Sequence, residues 1–325
     1  MGSPSEPERA PAPETDLAAF SRELAEVLSE WSPGGAVEVQ ALVDKFLSDA
    51  GQQAGEELMT RVATTGQDWS YSPPDPLGRQ LSRIVMSMIL KEGSGIDGVD
   101  SLGKLADKPA VLVGNHLSYI DVNVLDYLIS LTEYEASTRT LTTLVGPKVF
   151  TELTRRVASL CFGTIKLPQS RSRASGEAVM NAREVAGLAP RVIEASAQRL
   201  ALGDHLLVFP EGARTRASGL QRCLAAVARY LTREDAYLLA FAQTGCEALF
   251  PVDSERVHPA RVQARLGRPI PIRDLLDACG RRRQRVADVI GFLIADLLPS
   301  DYRGVYRETS DELREARAIA QALSP

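Results

Sequence analysis

From Pro109 onward the chain alternates short apolar runs of β character with stretches of helical periodicity, and few folds accommodate that alternation. The runs cover residues 110–113, 141–145, 164–167, 206–209, 237–241 and 262–266. Each has strand length, and helical patterns separate most of them. A chain patterned in this way buries its apolar strands in one sheet and covers the sheet with helices. The expectation is an α/β fold with a mixed central sheet layered with helices. No internal repeat is visible.

The residues before this region follow a different period. Leu17, Phe20, Leu24 and Leu28 recur at helical spacing, and Val37, Leu42, Val43, Phe46 and Leu47 repeat the pattern less regularly. Ser72-Pro73-Pro74 interrupts before a further helix carrying Leu77, Leu81, Ile84, Val85 and Met88. This predicts a small N-terminal bundle of roughly four helices. Gly93-Ser94-Gly95 then reads as a hinge. The expected organisation is a disordered Pro-, Glu- and Ser-rich tail over 1–14, a helical domain over 15–94, the α/β domain over 95–307 and a helical tail over 308–325.

Composition narrows the function classes. Hydrophobic residues make up 44% of the 325 positions and charged residues 24%, the balance of a globular protein. The formal charge of −5 is unevenly spread: residues 1–110 hold 18 acidic and 9 basic side chains, the remainder 24 and 28. An anionic substrate is therefore expected in the second part, and a nucleic-acid partner is not. Cys161, Cys223, Cys246 and Cys279 show no metal or disulfide spacing and are expected as buried free thiols. The N-terminus lacks a signal-peptide pattern, and no apolar run approaches the ~18 residues of a spanning helix. The expected location is the cytoplasm, with any membrane contact peripheral, on its inner face. Arg281-Arg282-Arg283-Gln284-Arg285 opens a helix through Val286, Val289, Ile290, Leu293 and Leu297. It reads as a solvated basic start, with membrane or acyl-carrier contact the sharper alternative.

Chemistry concentrates just past the ends of the apolar runs. Val113-Gly114-Asn115-His116-Leu117-Ser118-Tyr119-Ile120-Asp121 places His116 on a turn beyond a strand. Ser118 is a suitable N-cap for a helix presenting Ile120, Val124, Leu125, Leu128 and Ile129. Asp121 falls in the first turn, where the helix dipole favours a carboxylate. A carboxylate beside an imidazole fixes its tautomer, as a general base requires. The competing reading is a capping Asp beside an ordinary surface His. His205 and His258 have no partner at a useful spacing.

A second segment, Phe209-Pro210-Glu211-Gly212-Ala213-Arg214-Thr215-Arg216, also follows a strand. Gly212 permits a tight turn, and Arg214 and Arg216 offer the planar fork that binds phosphate in a bidentate way. A third, Gly163 to Arg173, adds Arg171 and Arg173 after another strand. Three polar clusters at the C-terminal ends of three strands occupy the rim where open α/β sheets bind ligands. No Gly-x-Ser-x-Gly elbow and no nucleotide-type Gly-rich phosphate loop is present.

Asn-His-x-Ser-x-x-Asp followed by Phe-Pro-Glu-Gly-x-Arg resembles the glycerolipid acyltransferases, the lysophosphatidate and glycerol-3-phosphate enzymes. The resemblance runs from about Gly95 to Tyr306. It implies an α/β sheet layered with helices and a catalytic His116 and Asp121. It implies substrate-binding roles for Arg171, Glu211, Gly212 and Arg214, and Arg216 matches an arginine of the soluble glycerol-3-phosphate members. The fourth block departs from the family: Leu238-Leu239-Ala240-Phe241-Ala242-Gln243 stands where prolines are usual. The implied reaction moves an acyl group from coenzyme A or acyl carrier protein to a phosphorylated glycerol acceptor, with no metal or bound cofactor. Backbone N–H groups near Gly212 are the candidates to meet charge on the thioester oxygen. Lysophosphatidate is the expected acceptor. The alternatives are glycerol 3-phosphate, an aminolipid or secondary-metabolite acceptor, and a non-catalytic lipid-binding relative.

Overall fold

Among the described residues four helices come first: α1 (Leu17–Ser29), α2 (Gly35–Ala50), α3 (Gln52–Thr64) and α4 (Pro76–Ile89), with a short strand β1 (Tyr71–Ser72) before the last. A computed structural model describes residues 16–29, 35–105, 108–169, 180–215, 218–251, 257–308 and 310–324. The tail expected over 1–14 therefore lies outside the described residues. The start of α4 follows from its sequence. Asp75 caps it, accepting from the Gly78 N–H at 2.8 Å, and Pro76 occupies a position where no N–H is needed.

The α/β region then runs β2 (Gly95–Asp97), α5 (Asp100–Gly103), β3 (Ala110–Gly114), α6 (Asp121–Ser130), β4 (Leu141–Val145), α7 (Leu153–Ser159), β5 (Gly163–Lys166), α8 (Ala182–Ala201) and β6 (His205–Val208). It continues through β7 (Tyr237–Thr244), α9 (Cys246–Leu249), β8 (Gln263–Leu266), β9 (Ile270–Pro271), α10 (Ile272–Ala278), α11 (Arg283–Ala295) and α12 (Arg314–Leu323). All six apolar runs are strands, β3 to β8. They belong to a nine-stranded mixed sheet of order β1-β5-β4-β6-β3-β7-β8-β2, with β9 also paired to β7.

The centre of this sheet, β5-β4-β6-β3-β7, is parallel throughout. Strand β3 is buried along its whole length, which is why its sequence shows no polar alternation. Its side chains still divide by period two. Leu112, Leu207 and Leu239 face one apolar layer, shared with Leu24, Leu81 and Ile89 of the N-terminal helices. Val111, Val113, Leu206 and Leu238 face the other, closed by Val286, Ile290 and Leu293 of α11 and by Ala316 and Ala320 of α12.

The N-terminal helices and the sheet thus share one continuous apolar layer. The 93–95 segment, expected as a hinge, is tied down: Gly95 N–H donates to Val262 O at 3.0 Å, and the Arg261 Nε–H donates to Gly93 O at 2.8 Å. Polar contacts reinforce the join. Asp126 of α6, 1% exposed, accepts from Arg83 Nε of α4 at 2.9 Å and from Thr138 Oγ1 at 2.6 Å, with Arg79 Nη2 at 3.0 Å. The basic run at 281–285 is matched by acids: Arg281 pairs with Glu234 and Asp277, and Arg285 with Glu315. All four cysteines are buried and free.

Asp126 carries the first prediction. Asp126→Ala leaves two guanidinium groups facing an emptied buried site, a loss of about 3 kcal/mol in urea unfolding. A loss under about 1 kcal/mol would show that this carboxylate does not join α4 to α6.

Candidate active site

Strands β3 and β6 are neighbours in parallel register, Val113 beside Val208, so the loops that leave their C-terminal ends emerge side by side. That adjacency brings 115–121 and 209–215 together from distant parts of the chain. The β3 loop is anchored from the opposite side by Asn115, 1% exposed. Its amide donates to Gln243 O at 2.8 Å, and its Oδ1 accepts from Gln243 N–H at 2.9 Å. Gly114 is required here because a Cβ would stand 2.3 Å from the Phe241 ring.

His116 and Asp121 meet directly, with His116 Nδ1 at 2.9 Å from Asp121 Oδ2. The same oxygen accepts from the Leu117 N–H at 2.7 Å and the Ser118 N–H at 3.0 Å. A carboxylate holding three donors is an acceptor only, so the Nδ1 position carries the proton and Nε2 keeps its lone pair. The Asp121 side chain is fully buried, and that of His116 is 19% exposed. The N-cap expectation for Ser118 is corrected: α6 begins at Asp121, and the Ser118 hydroxyl accepts the Ile120 N–H at 3.1 Å inside the preceding loop. Asp121 curls back to receive that loop's N–H groups, which postpones the helix start.

The β6 loop supplies the other wall. The Phe209 ring stacks on the His116 imidazole, centroids 4.0 Å apart and planes 9° from parallel, and Phe241 meets Phe209 edge-on at 6.1 Å. Gly212, at φ +73°, closes a tight turn in which its N–H donates to Phe209 O at 3.1 Å. That N–H is therefore engaged within the turn. Glu211 is 4% exposed and accepts two backbone groups, His116 N–H at 2.7 Å and Gln221 N–H at 2.8 Å. It ties the two loops together. The Thr215 N–H adds a further tie to His116 O at 2.9 Å.

Two cations gather on Tyr119, three residues beyond His116. The Arg214 guanidinium lies 3.5 Å from the Tyr119 ring centroid, and Arg155 of α7 comes to 4.5 Å from the same centroid. Burial is the main influence holding Arg214 below the usual guanidinium range. Arg171, Arg173 and Arg216, also expected at the site, lie outside the described residues. Arg155 was not singled out by sequence, and Tyr119 and Phe209 stood there only as members of their motifs, with no role of their own. For Arg155 the sequence offers only Arg155-Arg156, with no sign of which faces the rim. His205 ties strands: its Nδ1 accepts the Ala110 N–H at 3.1 Å, and burial lowers its pKa. His258 is exposed.

Two adjoining apolar cavities open behind Tyr119. One is lined by Tyr119, Val145, Val149, Phe162 and Phe250, the other by Leu24, Leu28, Val85 and Met86, and both touch Ile120 and Ala158. The second lies between the N-terminal helices and α7.

Burial pushes the Glu211 carboxyl up to about 7, against the opposing pull of its two N–H donors. A carboxyl raised in the folded state binds its proton more tightly there than in the unfolded chain. Its contribution to stability is thus greatest below the ordinary carboxyl range and is lost as pH rises through about 7. Unfolding curves across this window should show Glu211→Gln losing less stability than the native protein as pH increases. Parallel curves would contradict that assignment.

Residues 97–242 match the family model named Acyltransferase. No curated protein matches the chain. Among solved structures, the 1-acyl-sn-glycerophosphate (LPA) acyltransferase PlsC from Thermotoga maritima is similar at a TM-score of 0.42 and 13% identity, over 83% of this chain and 96% of that one. The family match spans both rim loops, from β3 with His116 and Asp121 to β6 with Glu211 and Arg214. Over residues 97–242 the chain is thus similar to the acyltransferase family.

Proposed function

We propose that this acyltransferase moves a fatty acyl group from a thioester, on coenzyme A or acyl carrier protein, to the hydroxyl of a glycerol phosphate-type acceptor in phospholipid synthesis. The preferred acceptor is lysophosphatidate. The observation that carries the proposal is the His116–Asp121 pair, with Nδ1 bound to a carboxylate that is itself locked by two backbone donors.

In this reading Nε2 of His116 removes the acceptor's hydroxyl proton as the oxygen attacks the thioester carbonyl. The tetrahedral intermediate collapses with cleavage of the carbon–sulfur bond, and the imidazolium returns its proton to the leaving thiolate. The products are an ester and a free thiol, with no acyl-enzyme, and the atoms balance without a metal. Asp121 keeps the imidazole in one tautomer and supports the imidazolium that forms. Glu211 and Phe209 position the His116 loop rather than touch substrate. Arg214 holds the acceptor's phosphate so that the hydroxyl approaches in one orientation. The apolar walls behind Tyr119 are where a fatty chain would lie, and because the cavities there hold only about 50 and 30 Å³, the chain would have to part those walls to enter. Among the described residues no helix is long and apolar enough to cross a membrane. Contact with lipid is accordingly proposed as peripheral.

His116→Ala should lower turnover by roughly 10²–10⁴-fold while the melting temperature holds. Near-native turnover in the folded variant would exclude the mechanism. Arg214→Lys keeps charge and loses the planar fork, so the acceptor KM should rise with little change in the donor KM. The acceptor is decided by side-by-side assays with one donor: a higher kcat/KM for lysophosphatidate is expected, and a clearly higher value for glycerol 3-phosphate would make that the substrate.

A further inference from the structure

Tyr119 is where two guanidinium groups from separate elements converge. Arg214 arrives on the loop after β6 at 3.5 Å from the ring centroid, and Arg155 arrives from α7 at 4.5 Å. Sharing one centroid at those distances puts the two guanidinium carbons within ~8 Å of each other. A single phosphate bridges them where both reach the same edge of the ring, its oxygens accepting from each at ordinary hydrogen-bond lengths. The platform is braced: Phe250 meets Tyr119 edge-on at 5.8 Å. Arg155 is 9% exposed, so its head is held within the wall of the cleft and not on the open surface.

The neighbouring helix position behaves differently. Arg156 turns toward the N-terminal helices and donates to Val62 O at 3.4 Å. Arg155 is thus selected by the helix register for the rim. The Arg214 side chain also retains an unmet need: its Nη1 is buried with no hydrogen-bond partner among the described residues. A buried charged donor left open, beside a second guanidinium of like charge, is stabilised by an anion that offers acceptor oxygens to both.

We propose that Arg155 is a second phosphate-binding residue, bridging with Arg214 the phosphate monoester of the acceptor at the edge of Tyr119. The proposal rests on the reading of the protein as an acyltransferase with a phosphorylated acceptor. It adds a binding residue from α7 to a site otherwise drawn from the rim loops. The phosphates of a coenzyme A or carrier-protein donor share the same chemistry, and the assay below separates the two sources.

The test uses the full chain with acyl-coenzyme A as donor, and compares Arg155→Met, Arg155→Gln and Arg155→Lys with the native protein. Acceptors are lysophosphatidate, glycerol 3-phosphate and a monoacylglycerol lacking phosphate. The Met and Gln variants should raise the KM for the phosphorylated acceptor ~10-fold or more. Lys should restore part of that loss, while the donor KM and the rate on monoacylglycerol stay within about twofold. An unchanged acceptor KM in either folded neutral variant overturns the proposal, as does a rise confined to the donor KM. Inorganic phosphate should raise the melting temperature of the native protein and do so much less in Arg155→Gln. Equal protection of both overturns the site whatever the activity. Failure of the native protein to acylate either phosphorylated acceptor would instead overturn the functional reading.

Discussion

One buried carboxylate oxygen organises the site. Asp121 Oδ2 receives the imidazole Nδ1–H of His116 and the backbone N–H groups of Leu117 and Ser118, all within 3.0 Å. The backbone bonds immobilise the carboxylate before it meets the imidazole, so the ring orientation follows from the loop conformation. Because the oxygen is held away from water, each of these charge-assisted bonds is stronger than its exposed equivalent. A small displacement of the 115–120 loop would loosen all three together.

The loop is in turn held by neighbours on both sides. Asn115 clamps it to β7 through a reciprocal pair with Gln243, and Glu211 clamps it to the β6 loop through the His116 N–H. Both side chains are almost fully buried. This explains why two polar motifs far apart in sequence act as one unit. Parallel strands β3 and β6 set their exits side by side, and buried polar side chains then satisfy the backbone groups exposed where the strands end. The geometry of such a rim depends on polar side chains buried beneath it.

The strands were legible because burial on both faces leaves unbroken apolar runs, as in β3. Strands β1, β2 and β9 were not: two or three residues carry no period, and their partners β5, β8 and β7 define them. The histidine, the aspartate and the Phe-Pro-Glu-Gly turn were legible as residues, and their mutual distances were not. Ser118 shows why. A hydroxyl before an apolar helical face is a sound cap signal, but Asp121 satisfies the local N–H groups more strongly and moves the helix start. Arg155 and Arg156 were indistinguishable in sequence because only the helix register sends one to the rim and the other toward α3.

The central claim is that Asp121 fixes His116 with the proton on Nδ1 and the lone pair on Nε2. Nitrogen-15 NMR of histidine-labelled protein tests this directly, since the chain has only 3 histidines to assign. The tautomer is read at a pH where the nitrogen shifts themselves show the ring to be neutral. The expected spectrum shows a protonated Nδ1 and an unprotonated Nε2 for His116, with the preference weakened in Asp121→Asn. A His116 ring protonated at Nε2 in the native protein would contradict the claim.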